Sequence, residues 1–120
     1  MKNSTMNPTT ATRLCASAEL AEGQPLRVGV GDEQLILLRH QGICRAFRNS
    51  CPHLGIELDW QPGRFLDHSG NYLQCAMHGA RFQLQNGLCI AGPCQGQALT
   101  AVAVEEHADA VWLSPLPVVE

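Results

Sequence analysis

The sequence predicts an all-β domain, and three observations carry that prediction. Leu26, Val28 and Val30 alternate with polar or small residues, which is the pattern of a half-buried strand. Similar short alternating stretches recur along the chain, while no stretch shows helical periodicity over an ordinary helix length. The middle third, residues 49–96, is rich in Gly, Pro, Cys and His, a composition typical of loops between short strands.

The chain begins with a polar stretch, residues 1–12, for which we expect a flexible tail. Residues 13–120 form one predicted domain, because a chain of 120 residues suits a single core. After the strand that begins at Leu26, residues 35–38 form a short apolar run that ends at the turn-prone pair Gln41-Gly42.

The next elements continue the strand pattern. Residues 43–47 alternate again, and we expect Ile43 and Phe47 to point inward. Further short strands are predicted at three places, namely 72–75, 81–84 and 111–113. Residues 99–104 also alternate, but the pattern leaves open which of their two faces is buried. Together, these patterns predict an all-β domain with a Gly- and Pro-rich insertion.

Composition excludes several classes of function. The net charge is −3 and the sequence pI is near 5.9, so we expect no nucleic-acid partner. No apolar run approaches the roughly 20 residues that cross a bilayer, and the N-terminus lacks the apolar core of a secretory signal. We therefore expect a cytoplasmic protein, in which the six cysteines are metal ligands or plain thiols rather than disulfides.

Two fragments combine the residue types of a metal site. Cys51 and His53 are separated by one residue, Cys75 and His78 by two, and a glycine follows soon after each histidine. Together they offer two soft thiolates and two imidazoles, the mixed set that a Rieske 2Fe–2S centre requires. The alternative is a structural zinc site, but its usual Cys-x₂₋₄-Cys and His-x₃₋₅-His pairs are missing here.

These fragments resemble the paired Cys-x-His and Cys-x-x-His motifs of the Rieske family. The run Gly92-Pro93-Cys94 is similar to the third loop of that family, whose proline covers the cluster. The resemblance implies one Rieske-type 2Fe–2S cluster as cofactor, with Cys51 and Cys75 on one iron and His53 and His78 on the other.

The resemblance also implies a fold and a type of cluster. The expected fold is a small antiparallel β-barrel or sandwich into which a cluster-binding subdomain, about 49–96, is inserted. High-potential members carry a disulfide and a serine hydroxyl near the cluster, but this chain has Ile56, Met77 and Ala80 at those places. Rieske potentials span about −150 to +300 mV, and we expect the low end, as in Rieske ferredoxins.

By the same resemblance, the expected function is that of a soluble one-electron carrier between a reductase and a terminal enzyme such as an oxygenase. The alternative is a cluster-bearing small subunit of a multi-subunit oxidoreductase, similar to the small subunits of nitrite reductases. Oxygenase catalysis needs a mononuclear iron site of two His and one carboxylate. Since 120 residues leave no room for it, we expect no enzyme activity from this chain alone. The expected partners are redox proteins, and the chain itself is expected to be a monomer or weak oligomer.

The remaining cysteines have plainer interpretations. Cys89 and Cys94 flank the third loop, where the main interpretation is two small buried thiols and the alternative is a redox pair. Cys15 and Cys44 lie on strand-like segments and are expected in or near the core. Arg81 follows the second motif and is either solvated or part of a docking surface for an acidic partner.

Overall fold

Ten strands and one short 3₁₀ helix make up the described part of the chain. The computed structural model describes residues 12–52, 55–59, 61–76 and 79–114. The 3₁₀ helix is Ser17–Glu19. The strands are β1 (Thr12–Ala16), β2 (Leu26–Val30), β3 (Glu33–His40), β4 (Ile43–Arg48), β5 (Tyr72–Gln74), β6 (Arg81–Gln83), β7 (Cys89–Ala91), β8 (Ala101–Val102), β9 (Val104–His107) and β10 (Ala110–Leu113).

The strands form three antiparallel sheets. The terminal sheet has the order β1-β10-β9, the central sheet has the order β2-β3-β4-β8, and the small sheet has the order β5-β6-β7. Every strand pairing is antiparallel. The predicted all-β fold with short strands in its middle third is confirmed.

Strand β3 lies in the middle of the molecule and is buried on both faces. Leu35 and Leu37 belong to one hydrophobic core, whereas Ile36 and Leu38 belong to another. Successive side chains of a strand point to opposite faces, so one apolar run can serve two cores. This explains why residues 35–38 are continuously apolar instead of alternating.

The two cores have different contents. The first core lies against the terminal sheet and contains Cys15, Leu20, Leu35, Leu37, Ala46 and Val111. The second core lies against the small sheet and contains three phenylalanines and four cysteines, namely Phe47, Phe65, Phe82, Cys51, Cys75, Cys89 and Cys94. Four of the six cysteines therefore lie in the second core, on the face of the central sheet opposite the first core.

The predicted inward residues of β4 are half right. Phe47 is 2% exposed and lies in the second core, as predicted. Ile43 is 55% exposed, so the prediction of an inward Ile43 is wrong. Ile43 pairs with His40 at the end of the β3–β4 hairpin, beside the turn. The alternation correctly places Ile43 on the same face of β4 as Phe47. Ile43 is exposed because neither core extends to the end of β4 at which it lies.

The structure also decides the face that the sequence leaves open at 99–104. Val102 and Val104 are half-buried against the first core, while Ala101 and Ala103 are exposed. Leu99 precedes β8 and is buried in the second core.

The ends of the chain lie outside the description. The predicted tail, residues 1–12, falls outside the described residues except for Thr12, at which β1 begins. Among the residues that the structure describes, no helix is long and apolar enough to cross a membrane.

Candidate metal centre

The first cysteine loop runs from Cys51 to Ile56 and is closed by two backbone hydrogen bonds. The N–H of Cys51 donates to the carbonyl of Ile56 at 2.7 Å, and the N–H of Gly55 donates to the carbonyl of Cys51 at 2.6 Å. Gly55 has φ +73°, a left-handed conformation that glycine adopts without a steric penalty. The Cys51 side chain is 0% exposed and lies in the second core.

The second cysteine loop, from Cys75 to Ala80, has the same backbone frame. The N–H of Cys75 donates to the carbonyl of Ala80 at 2.9 Å, and the N–H of Gly79 donates to the carbonyl of Cys75 at 2.9 Å. Gly79 has φ +69°. Cys75 is also 0% exposed in the second core. The two motifs thus share the same pair of backbone hydrogen bonds, and each places its first residue, a cysteine, in the second core.

Leu58 and the hairpin that follows join the two loops. The N–H of Ala76 donates to the carbonyl of Leu58 at 3.0 Å. The N–H of Asp67 donates to the carbonyl of Tyr72 at 2.9 Å, and the N–H of Gln74 donates to the carbonyl of Phe65 at 2.7 Å. Residues 65–74 therefore form a hairpin between the two cysteine motifs.

A buried carboxylate, that of Asp59, binds residues that flank the first loop. The Asp59 side chain is 0% exposed. It accepts hydrogen bonds from Arg27 Nη1 at 2.8 Å, Asn49 Nδ2 at 2.7 Å and the N–H of Gly63 at 2.9 Å. Asn49 Oδ1 in turn accepts from the N–H of Leu58 at 2.7 Å. Charge pairing and three donors satisfy this buried anion. Sequence analysis missed Asp59 and Arg27, because they are 32 residues apart and no local pattern joins them.

The third loop packs directly on the second. Gly92 has φ +100°, and a Cβ added there would lie 2.7 Å from the Cα of Ala80. Real Cβ atoms do not approach backbone so closely, so glycine is required by both its conformation and its contact. The run 92–94 therefore lies against the residue that closes the second cysteine loop.

Cys94 and Cys89 lie together in the second core, which also contains Cys51. The Cys94 thiol donates a hydrogen bond to Cys89 Sγ at 3.1 Å. Burial, followed by the Cys89 side chain, raises the pKa of the Cys94 thiol to about 12. Both are buried thiols, as the main interpretation of the sequence expected, and the tertiary structure adds their contact with each other.

The structure brings together half of the predicted ligand set. Cys51 and Cys75 share one core, whereas His53 and His78 lie outside the described residues, so the four-ligand set stays a prediction. Within the described ranges alone, no group of three or more His, Cys, Asp and Glu side chains could hold a metal ion. The two buried thiols on matching loops fit the thiolate half of a Rieske centre.

An antiparallel β fold with two cysteine loops of this kind is typical of small iron–sulfur domains. The family model described as "Rieske [2Fe-2S] domain" matches residues 10–111, and the chain belongs to this family. The expected Rieske 2Fe–2S cofactor is thereby confirmed.

Two curated relatives are named as oxygenase subunits. The chain is 28% identical over 108 residues to the carnitine monooxygenase oxygenase subunit of Acinetobacter baumannii, and the match covers 82% of this chain. A second relative of the same name, from Acinetobacter pittii, is 28% identical over 93 residues. The chain spans only 28% and 24% of the length of these relatives.

Solved structures show the same fold in proteins of two sizes. The terminal oxygenase of carbazole 1,9a-dioxygenase from Novosphingobium sp. KA1 matches with a TM-score of 0.76 and 25% identity, over 89% of this chain and 30% of that chain. The ferredoxin of carbazole 1,9a-dioxygenase from Nocardioides aromaticivorans matches with a TM-score of 0.71 and 23% identity, over 88% of this chain and 98% of that chain. A Sphingomonas yanoikuyae ferredoxin gives 0.69 and 24%, over 88% and 98%.

Proposed function

We propose that this chain is a one-electron carrier that takes electrons from a reductase and passes them to an oxygenase. The observation that carries the proposal is the match of a Rieske domain to residues 10–111, together with the two matching cysteine loops. The solved structures with this fold include the ferredoxin of a carbazole 1,9a-dioxygenase, which supports the carrier. The proposal includes a cytoplasmic location and no catalysis by the chain alone.

Four residues would hold the cluster. Cys51 and Cys75 supply thiolates from the second core, and His53 and His78 supply imidazoles from the same two motifs. When bound, a Rieske 2Fe–2S centre accepts and returns one electron at a time. The protein contributes the two matching loop frames, which fix the thiol positions, and the burial that keeps water away from them.

The first experiment tests the cofactor and its ligands. Purified protein should be red-brown, contain two irons and two acid-labile sulfides per chain, and give a Rieske EPR signal when reduced. Cys51→Ser should lose the cluster, because hydroxyl is a poor ligand for iron–sulfur clusters. The matched control is Cys44→Ser, since the Cys44 thiol packs on the first core and donates to Glu106 Oε1 at 3.2 Å. A colourless protein that binds one zinc would overturn the proposal.

The second experiment tests electron transfer. Reduced holoprotein should be reoxidised by an oxygenase of the native host only when the substrate of that oxygenase and dioxygen are present. Arg81→Glu tests one part of a docking surface, because Arg81 is 49% exposed and lies 3.5 Å from Asp67. A slower, less salt-dependent reaction would support docking at Arg81. Unchanged rates would show that Arg81 has no role in docking, and they would not contradict the carrier role.

A second candidate is an electron-transfer component held within a larger oxidoreductase. The match to oxygenase subunits of Acinetobacter favours it, and a nitrite reductase small subunit is the related alternative. A carrier should co-purify weakly with its partners from the native host, whereas a component should co-purify in fixed stoichiometry or as part of a longer polypeptide. Intact mass and native gel filtration of the endogenous protein separate the two.

A further inference from the structure

Cys89 and Cys94 form a pair of buried thiols that the proposed function does not use. Their Sγ atoms are 3.1 Å apart, and the two residues are 2% and 0% exposed, respectively. Since a disulfide bond is about 2.05 Å long, the two sulfurs need to approach each other by only about 1 Å to form one. Neither cysteine belongs to a predicted ligand motif, so both thiols stay available when a cluster is bound.

The backbone brings the two cysteines together within one segment, residues 89–97. The N–H of Cys89 donates to the carbonyl of Gln97 at 2.8 Å, and the N–H of Gly96 donates to the carbonyl of Cys89 at 3.1 Å. The N–H of Gln97 donates to the carbonyl of Cys94 at 2.9 Å. The chain therefore turns back on itself between the two cysteines, and the contact between their sulfurs is local to this segment.

Cys94 is the inward-facing residue of an otherwise exposed stretch. Residues 92, 93 and 95–98 are exposed, whereas Cys94 is buried. Exposed loops open locally at a lower free energy than the strands of a core. A small molecule in solution can therefore reach the two sulfurs when segment 89–97 opens, while the rest of the fold stays intact.

The hydrogen bonds of the pair indicate which sulfur reacts first. Cys89 Sγ lies 3.2 Å from the carbonyl oxygen of Ala91, which can only accept, so the single proton of Cys89 is used there. The proton of Cys94 is donated to Cys89 Sγ. A thiolate formed at Cys89 would keep this donor, and hydrogen bonds to an ionised acceptor are roughly twice as strong as those between neutral groups. Cys89 is therefore the attacking sulfur, and Cys94 is the sulfur that completes the bond.

We propose that Cys89 and Cys94 are a dithiol that low-molecular-weight disulfides, such as glutathione disulfide, convert reversibly into an intramolecular disulfide. First, the Cys89 thiolate attacks one sulfur of the oxidant, a mixed disulfide forms and one thiolate leaves. Then Cys94 loses its proton and attacks the Cys89 sulfur of the mixed disulfide, and the second thiolate leaves. Two cysteine thiols are oxidised, one disulfide molecule is reduced, and the two protons end on the two released thiols.

The new bond would restrain the third loop, which packs on the second cysteine loop. Gly92 lies between the two cysteines, and a Cβ added there would lie 2.7 Å from the Cα of Ala80. A cross-link between Cys89 and Cys94 closes a small ring that contains Gly92, and it reduces the number of open conformations of this segment. The oxidation state of the pair would thus control how freely the third loop moves next to the second cysteine loop.

The main test uses wild-type holoprotein in buffers of reduced and oxidised glutathione. After acid quenching and alkylation under denaturing conditions, the oxidised chain should carry two fewer alkyl groups than the reduced chain. Peptide mapping should place the disulfide between Cys89 and Cys94, and the visible absorption of the cluster should persist in the same samples. A chain that keeps both thiols free in oxidised glutathione, or a disulfide that joins any other pair, would overturn the proposal.

Two serine variants separate the two steps. Cys94→Ser keeps the attacking sulfur and lacks the sulfur that completes the bond, so a mixed disulfide with glutathione should accumulate at Cys89. Cys89→Ser should form an adduct at Cys94 more slowly, because the attacking sulfur is missing. Mass spectrometry follows both adducts with time. Faster modification of Cys89→Ser would contradict the assigned order of the two sulfurs.

Cys44→Ser is the matched control. Cys44 is more exposed than either member of the pair, but it packs on the first core and its thiol donates to Glu106 Oε1 at 3.2 Å. Cys44→Ser should therefore lose two thiols to glutathione disulfide at the wild-type rate. Loss of the oxidation in this variant would show that exposure, rather than the contact between Cys89 and Cys94, decides which thiol reacts, and it would contradict the proposal.

Hydrogen exchange on the wild-type holoprotein tests the effect on the loop, and it needs no variant that folds. Amide exchange in a peptide that covers residues 90–96 should be slower in the oxidised than in the reduced protein. Exchange in β2, on the far side of the central sheet order from β8, should be the same in both states. Equal exchange of residues 90–96 in the two states would contradict the restraint of the third loop.

Discussion

At the scale of single residues, the fully buried groups around the cysteine loops are the ones with the largest expected effects. Asp59 is a buried anion held by one cation and two other donors, whereas Glu57 binds the same arginine from an exposed position. Ala80 closes the second loop with 0% exposure. These positions allow two predictions, in which chemistry is changed while size is nearly kept.

Asp59→Asn should destabilise the protein and speed loss of the cluster. The change removes the charge that binds Arg27 and turns one of the two acceptor oxygens into a donor. That donor faces either Arg27 Nη1 and Asn49 Nδ2 or the N–H of Gly63, depending on which oxygen is replaced. We expect a loss of about 1.5–3 kcal/mol in the free energy of unfolding, measured by urea titration. The control is Glu57→Gln: its carboxylate lies 2.8 Å from Arg27 but is 45% exposed, so the loss should stay below about 1 kcal/mol. Equal losses would contradict the role of burial.

Ala80→Ser should raise the midpoint potential of the cluster. The expected low potential rests partly on the missing hydroxyl at this position. A new O–H beside the loop would offer a donor to the cluster and stabilise the added electron. Voltammetry of wild type and variant measures the shift. A wild-type midpoint potential well above zero would contradict the expected low potential of the cluster, independently of the result for Ala80→Ser.

At the scale of elements, one glycine allows the small and central sheets to pack closely. Gly87 follows β6 and has φ +73°. A Cβ added there would lie 2.9 Å from Cε1 of Phe47 and 3.1 Å from the Cβ of Leu99. Phe47 is 2% exposed in the second core, so its ring has little freedom to move aside. The approach of β4 to the β6–β7 turn therefore depends on the absence of a side chain.

Gly87→Ala should destabilise the protein more than a glycine substitution that only strains the backbone. Strain at positive φ costs about 1 kcal/mol, and overpacking against Phe47 should add about 1–3 kcal/mol. Gly31→Ala supplies the comparison, because Gly31 has φ +60° and a Cβ there would meet nothing within 4 Å. Urea unfolding of both variants gives the difference. Similar losses in the two would show that the second core tolerates the added methyl group.

At the scale of the whole molecule, an ion pair ties the terminal sheet to the central sheet. Arg39 on β3 binds both carboxylate oxygens of Glu106 on β9 at 2.9 and 2.8 Å. Arg39 Nε also donates to the carbonyl of Leu20 at 2.7 Å. The hydrogen bond from Arg39 is the main reason why the pKa of Glu106 is lowered to about 2.

This lowered pKa predicts an acid dependence of stability. A carboxyl whose pKa is lower in the folded state stabilises the fold fully above its unfolded pKa, about 4.5, and loses that contribution as the pH falls toward about 2. Glu106→Gln should therefore lower stability at neutral pH and flatten the pH profile between these values. The exposed Glu105→Gln is the control. Acid loss of the cluster is common to all three proteins, so the differences between them report on Glu106. Parallel profiles for wild type and Glu106→Gln would contradict the prediction.

The sequence by itself determined the class of fold, the family and the two cysteine motifs. These features are local: alternation reveals a strand from its own residues, and a Cys and a His within three positions predict a ligand pair. The glycines that close the loops belong to the same kind of signal, because Gly55 and Gly79 adopt positive φ within their own turns.

Only the tertiary structure decided what distant residues do to one another. Periodicity predicted an inward Ile43, but how far each core extends along β4 depends on the neighbouring sheets, and Ile43 is exposed. The contact of Asp59 with Arg27, and the close approach of Gly87 to Phe47, join segments tens of residues apart. Such contacts arise when sheets pack, and their energies depend on burial that no short stretch of sequence contains. The predicted ligand motifs can therefore be recognised from local sequence, while the packing around them depends on the folded core.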